Sequence, residues 1–87
     1  MKLILAIVRD SDADPVTQGL TSASLRVTRV ASTGGVLRRG MTTLLIGLDA
    51  GQVDDAIRIL RQTCTPAAQG EKRATIFVVP VDRFEQI

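Results

Sequence analysis

The chain of 87 residues carries eleven Lys and Arg against nine Asp and Glu, a formal net charge of +2, and it has no histidine. A balance this slight argues against wholesale binding to nucleic acid, and the missing histidine removes the usual general base, the commonest metal ligand and any Ser-His triad, which counts against hydrolysis or group transfer. Hydrophobic residues make up 45% of the chain, yet Phe77 and Phe84 are its aromatics, so the core must come from Val, Ile, Leu and Ala, and no platform exists for stacking RNA bases.

The length predicts a single domain spanning 1–87. Such a chain buries only about 60–65 per cent of its unfolded surface, so association with copies of itself would add stability. Leu3 to Val8 is a continuous apolar run of strand length, the pattern of a strand covered on both faces. Arginine and aspartate end it, too soon for a signal peptide or a membrane span. Ser11 or Asp12 is expected to cap a first helix reaching about Ala23, with Pro15 tolerated in the first turn and Val16, Gly19, Leu20 and Ala23 as a thin apolar face.

Leu25 to Thr33 alternates and is rich in branched residues, which predicts a second strand. Leu25, Val27, Arg29 and Ala31 share one face and Arg26, Thr28, Val30 and Ser32 the other; neither is wholly apolar. The loop at Thr33 to Gly40 holds Gly34, Gly35 and Gly40 beside Arg38 and Arg39, so backbone amides and guanidinium groups could meet phosphate there. Thr42 to Leu48 is the return strand, with Leu44 and Ile46 on one side and Leu45 and Gly47 on the other; a glycine inside a strand often marks close approach to the backbone.

A second helix begins at Asp49, with Gln52 at capping-box spacing and Val53, Ala56, Ile57 and Leu60 along one face; Arg58 and Arg61 suit its C-terminal dipole. Thr63 to Lys72 reads as a polar loop and Ala74 to Val79 as a final buried strand that Pro80 ends at an edge. The order strand, helix, strand, strand, helix, strand, with similar halves, predicts an α+β ferredoxin-like fold: an antiparallel four-stranded sheet with both helices on one face. Strands apolar on both sides would leave the opposite face to be covered by other copies of the chain.

Chemistry within the chain is sparse. Cys64 is alone, so neither an internal disulfide nor a paired-cysteine metal motif can form, and a cytoplasmic protein is expected. Asp10, Asp12 and Asp14 lack the closing glutamate of a calcium loop and read as capping and turn residues; no metal site is expected. The glycine-rich loop has no Walker pattern, so binding without turnover is the better chemical expectation.

Three stretches carry a resemblance: MKLILAIVRDSD at the start, LRVTRVASTGGVLRRGMTTLLIG in the middle and ATIFVVPVDRFEQI at the end. With them the sequence resembles the cyclic-di-AMP receptor family, small PII-like signalling proteins of bacteria. The resemblance implies a PII-like homotrimer with its sheets packed inward and a nucleotide held between neighbouring subunits. Binding positions would fall at Arg26 and Thr28 on the second strand, at Gly35, Val36 and Leu37 in the loop, and at Met41 and Gly47 on the third strand. Loop amides would meet phosphate, Thr28 would donate its hydroxyl, and apolar positions would flank adenine.

Departures accompany the match. The family usually has phenylalanine where this chain has Val36, and asparagine where it has Met41 and Ser24. Its long glycine-rich loop before the last strand is here only Thr63 to Arg73. The implied function is non-enzymatic: a receptor for cyclic-di-AMP or a related adenine nucleotide that signals to a downstream protein, with no cofactor and no part for membrane or nucleic-acid polymer. The alternative is a ligand-independent trimeric adaptor. An acylphosphatase of similar fold would need an arginine in the loop after strand one and an asparagine on the third strand, and the spacing supplies neither.

Overall fold

The computed structural model describes residues 1–30 and 40–87. Lys2–Arg9 forms β1, Asp10–Ser22 forms α1, Arg26–Val30 forms β2 and Met41–Leu48 forms β3; a 3-10 turn at Ala50–Gln52 leads into α2 at Val53–Thr63, and Ala74–Pro80 forms β4. The strands make one sheet in the order β2-β3-β1-β4, with every pairing antiparallel. This is the ferredoxin-like arrangement that the sequence predicts. The most continuous apolar run, β1, takes a central place, and Pro80 ends the edge strand β4, where a missing amide donor is tolerated.

Alternation along the strands separates two faces. Ile4, Ala6 and Val8 of β1, with Leu44 and Ile46 of β3, are fully buried beneath Val16 and Leu20 of α1 and Ala56 and Leu60 of α2. The odd-numbered residues Leu3, Leu5 and Ile7 on the other face of β1 are only half-buried. Among the described residues nothing in the single chain covers that face, the one expected to be left for other copies to cover. On β4, Phe77 and Val78 are exposed as well, because an edge strand has a neighbour on one side only.

Two local expectations change. Neither Ser11 nor Asp12 caps α1: the N-cap is Arg9, without a side-chain cap hydrogen bond, and the helix starts at Asp10. Asp12 is instead buried inside the first turn, where its Oδ1 accepts a 2.6 Å hydrogen bond from Thr65 Oγ1. At α2 the expected capping box forms, with the Asp49 amide donating to Gln52 Oε1 at 2.9 Å, although its first turn is 3-10. Arg61 lies in the last turn of α2 as expected, but the guanidinium that reaches the helix end belongs to Arg73, whose Nη1 donates to the Arg61 carbonyl at 3.0 Å. The described part of β2 begins at Arg26, one residue after the predicted Leu25, which is buried ahead of it, and residues 31–33 of the predicted strand lie outside the described residues.

The end of α1 explains Ser24. Its φ of 65° is left-handed, and the amides of Ser24 and Leu25 donate to the carbonyls of Thr21 and Leu20 at 3.0 and 3.1 Å. This is a Schellman closure, in which a non-glycine residue pays a steric cost of roughly 1–2 kcal/mol. Ser24→Gly is expected to raise stability by about 0.5 kcal/mol once the freer unfolded chain is counted. A thermal melt should therefore move up by roughly 2–4 °C, and a fall would contradict the assignment.

Candidate functional site

The open face of the sheet is organised in rows set by strand register. Arg26 lies opposite Gly47, which lies opposite Leu3, which lies opposite Val79. The parallel row two residues on is Thr28, Leu45, Leu5 and Phe77. The result is an apolar floor of half-buried Leu3, Leu5 and Leu45, with exposed Arg26 and Thr28 along its β2 side and Phe77, 54% exposed, along its β4 side. No carboxylate among the described residues pairs with Arg26, although Arg29 on the other face of β2 holds Asp14 at 2.6 Å. A guanidinium and a hydroxyl beside an apolar floor suit a ligand with both anionic and flat apolar parts.

Gly47 fits this surface for a definite reason. Among the described residues a Cβ built on it would lie 3.3 Å from Met1 Cε and meet no other atom within 4 Å, so the missing side chain answers to no backbone clash with them. It keeps the floor next to Arg26 low.

Met41 is placed differently. It begins β3 opposite Arg9, six residues along the strand from Gly47, a separation of about 20 Å at the rise of an extended strand. Around it opens a groove of about 540 Å³ lined by Arg9, Met41, Gly70, Glu71, Lys72, Ala74 and Thr75. Glu71 Oε2 stands 3.8 Å from the Arg9 guanidinium across this groove. Gly40, at φ +82°, turns the chain into β3, and its carbonyl accepts from the Asp10 amide at 2.9 Å. Of the predicted ligand positions, then, Arg26, Thr28 and Gly47 are brought together, Met41 shares their face at its far end, and Gly35, Val36 and Leu37 lie outside the described residues.

The acidic cluster after β1 is dispersed among three partners. Asp10 accepts from Thr42 Oγ1, Asp14 pairs with Arg29, and Asp12 turns inward to Thr65. The Asp12–Thr65 link, which pins the connection after α2 to the start of α1, had no signal in the sequence beyond the residue types. Among the described residues no group of three or more His, Cys, Asp or Glu could hold a metal ion, and no helix is long and apolar enough to cross a membrane.

Cys64 is buried at the end of α2, and burial pushes its thiol pKa up, with the Asp12 charge adding to the effect and Arg73 and Arg9 opposing it. A raised pKa means the folded state favours the neutral thiol, so the stabilisation is complete below the unfolded value of about 8.5 and is lost as pH rises through the folded value. Stability is expected to fall above about pH 8.5, and Cys64→Ala should flatten that fall. Melts from pH 7 to 10 check it; parallel curves for both proteins would refute it.

Comparison with known proteins bears on this surface. The model of the cyclic-di-AMP receptor family matches residues 1–70, a span containing β1 through α2 and every predicted ligand position. A crystal structure of a functionally unknown protein from Pediococcus pentosaceus ATCC 25745 is similar at 30% sequence identity, over 99% of this chain and 96% of that one, with a TM-score of 0.79. The matched family is a receptor family rather than an enzyme class. A family match over most of the chain, together with the shared fold, places this protein in the cyclic-di-AMP receptor family.

Proposed function

We propose that the chain is a non-enzymatic, cytoplasmic PII-like receptor that assembles as a homotrimer, its open sheet faces turned inward. It binds cyclic-di-AMP, or a related adenine nucleotide, between neighbouring subunits and passes that signal to a downstream protein. Arg26, Thr28, Met41 and Gly47, with Gly35, Val36 and Leu37 of the loop, form the site. The observation that carries this reading is the register: Arg26 and Gly47 lie opposite one another, Thr28 is in the next row of the same face, and that face is both apolar and uncovered in one chain. An apolar face of this kind calls for a partner surface.

Sedimentation equilibrium together with equilibrium dialysis against cyclic-di-AMP, ATP, ADP and AMP tests it. The expected result is a species of three chains that retains one of these nucleotides. A monomer that retains none at millimolar concentration would overturn the reading.

The ligand-independent adaptor is the second reading, and the observation favouring it is Met41. A thioether stands there on the ligand face in place of the family's amide and offers only a weak acceptor to a base edge. In that case the trimer forms but the dialysis is blank for all four nucleotides.

A further inference from the structure

On the helix side of the sheet, away from the face just described, a groove of about 690 Å³ runs between α2 and the edge strand β4. Its floor is apolar, formed by Ile57 and Leu60 of α2 and Ala74 and Ile76 of β4, and its rim carries Arg61, Lys72 and Arg73. Four arginines among the described residues are held in ion pairs: Arg9 with Glu71, Arg29 with Asp14, Arg58 with Asp55 and Arg83 with Glu85. Arg61, Lys72 and Arg73 have no carboxylate partner among the described residues, and all three border this one groove. Glu71, also at the rim, is engaged with Arg9.

The strand bordering the groove is itself open. Among the described residues β4 pairs with β1 on one side only and ends the sheet. Its run Ala74–Pro80 is strongly apolar and carries no charge to guard the edge, and Phe77 and Val78 are exposed. Ahead of Pro80, which lacks an amide, the apolar strand leaves its outward amides and carbonyls without a strand partner among the described residues and is a template for a further strand.

We infer that the β4 edge and the groove behind it form a docking site for an extended, acidic segment of a partner protein. The segment would add as a fifth strand, place apolar side chains on Ala74, Ile76 and Leu60, and set carboxylates against Arg61, Lys72 and Arg73. Charge argues for a foreign partner over a second copy. Most carboxylates of this chain are already engaged: Asp14, Asp55, Glu71 and Glu85 in ion pairs, Asp10 and Asp12 in hydrogen bonds, Asp49 in the capping box. That leaves Asp54 and Asp82, which lie on no common extended segment, so a copy of this chain offers no run of unengaged carboxylates to match three cations there.

The test is an amide-resolved NMR titration of the full chain, without nucleotide, using the heptapeptide Val-Thr-Val-Thr-Glu-Thr-Glu, whose valines and glutamates share one face of an extended strand, and its counterpart with lysine in place of glutamate. Shifts at residues 57–64 and 72–79 with the acidic peptide only, weakened at least tenfold in an Arg61→Glu, Lys72→Glu double variant, are expected. Arg73 is left in place because it holds the end of α2. No shift at millimolar peptide, equal shifts with the basic peptide, or shifts centred on Arg26 and Gly47 would overturn the assignment. So would self-association that the double variant abolishes, since the occupant would then be a second copy. The proposal is separable from the nucleotide reading, because Arg26, Thr28 and Gly47 do not border this groove and the titration is run without nucleotide, although Glu71, Lys72 and Ala74 also border the groove at Met41.

Discussion

Gly47→Leu is expected to leave the chain folded and weaken nucleotide binding by roughly a hundredfold. The substitution puts a branched side chain on the open face beside Arg26 and Leu3. Among the described residues the new Cβ meets only Met1 Cε, at 3.3 Å, the far end of a flexible side chain that can move aside. Leucine is also no worse than glycine in a strand, so stability should change by less than about 1 kcal/mol. The proposed site loses its low floor, and an affinity loss of roughly a hundredfold, about 2.7 kcal/mol, is expected. If the same face packs against neighbouring chains, assembly should weaken too. A melt, a sedimentation profile and a cyclic-di-AMP titration of the variant separate these effects. Unchanged binding would remove Gly47 from the site.

The opposite pattern is expected at Gly19. There a Cβ would lie 3.1 Å from Ile59 Cγ2 and 3.4 Å from Thr63 Oγ1, so α1 and α2 touch where the side chain is missing. Thr63 cannot easily yield, since its hydroxyl donates to the Ile59 carbonyl at 2.7 Å. Gly19→Leu therefore drives a side chain into the helix-helix seam. Overpacking of this kind costs about 3 kcal/mol, against which the better helix propensity of leucine returns under 1 kcal/mol. The net loss of about 2 kcal/mol should lower the melting temperature by roughly 8–16 °C in a chain this small. A variant that melts with the wild type would mean the helices can separate at no cost. Two glycines in apolar patterns thus have opposite purposes: Gly19 brings two elements of one chain together, and Gly47 leaves room for something outside it.

Much of this architecture was legible because its signals are strong and local. The unbroken apolar run Leu3 to Val8 becomes the central strand, the Asp49 and Gln52 spacing becomes a capping box, and Pro80 closes an edge. The shared face of Arg26 and Thr28 follows from two-residue alternation, and register then adds Gly47 opposite Arg26. What stayed hidden depends on long-range geometry. Asp12 has the residue type and position of a cap, but a partner 53 residues away, Thr65, draws it inward. Ile59 was passed over because its contact is with Gly19 on another helix, and Gly19 itself read as one position of a thin apolar face for want of that neighbour. The distance between Met41 and Gly47 is likewise invisible in a roll of ligand positions, though obvious once both sit at opposite ends of one strand.

That distance bears on what the site can hold. A ligand contacting only Arg26, Thr28 and Gly47 occupies one end of the face, whereas one reaching Met41 must extend some 20 Å or be met there by a second chain. A cleft between subunits satisfies this demand without a longer ligand, which is why the proposed receptor is an assembly rather than a single chain. The groove at β4 lies on the helix side of the same sheet, reached through Lys72, Glu71 and Ala74, which border both it and the groove at Met41.

The central claim is that the open sheet face binds cyclic-di-AMP through Arg26, and a calorimetric titration of that nucleotide into the wild type and an Arg26→Ala variant tests it most directly. The exposed Arg26 makes no ion pair among the described residues, so its removal should leave the fold intact. The account predicts saturable heat at one nucleotide per chain in the wild type and an affinity at least about tenfold weaker in the variant, the value of one charge-assisted contact. No heat from the wild type at millimolar nucleotide, or identical isotherms for the two proteins, would contradict it.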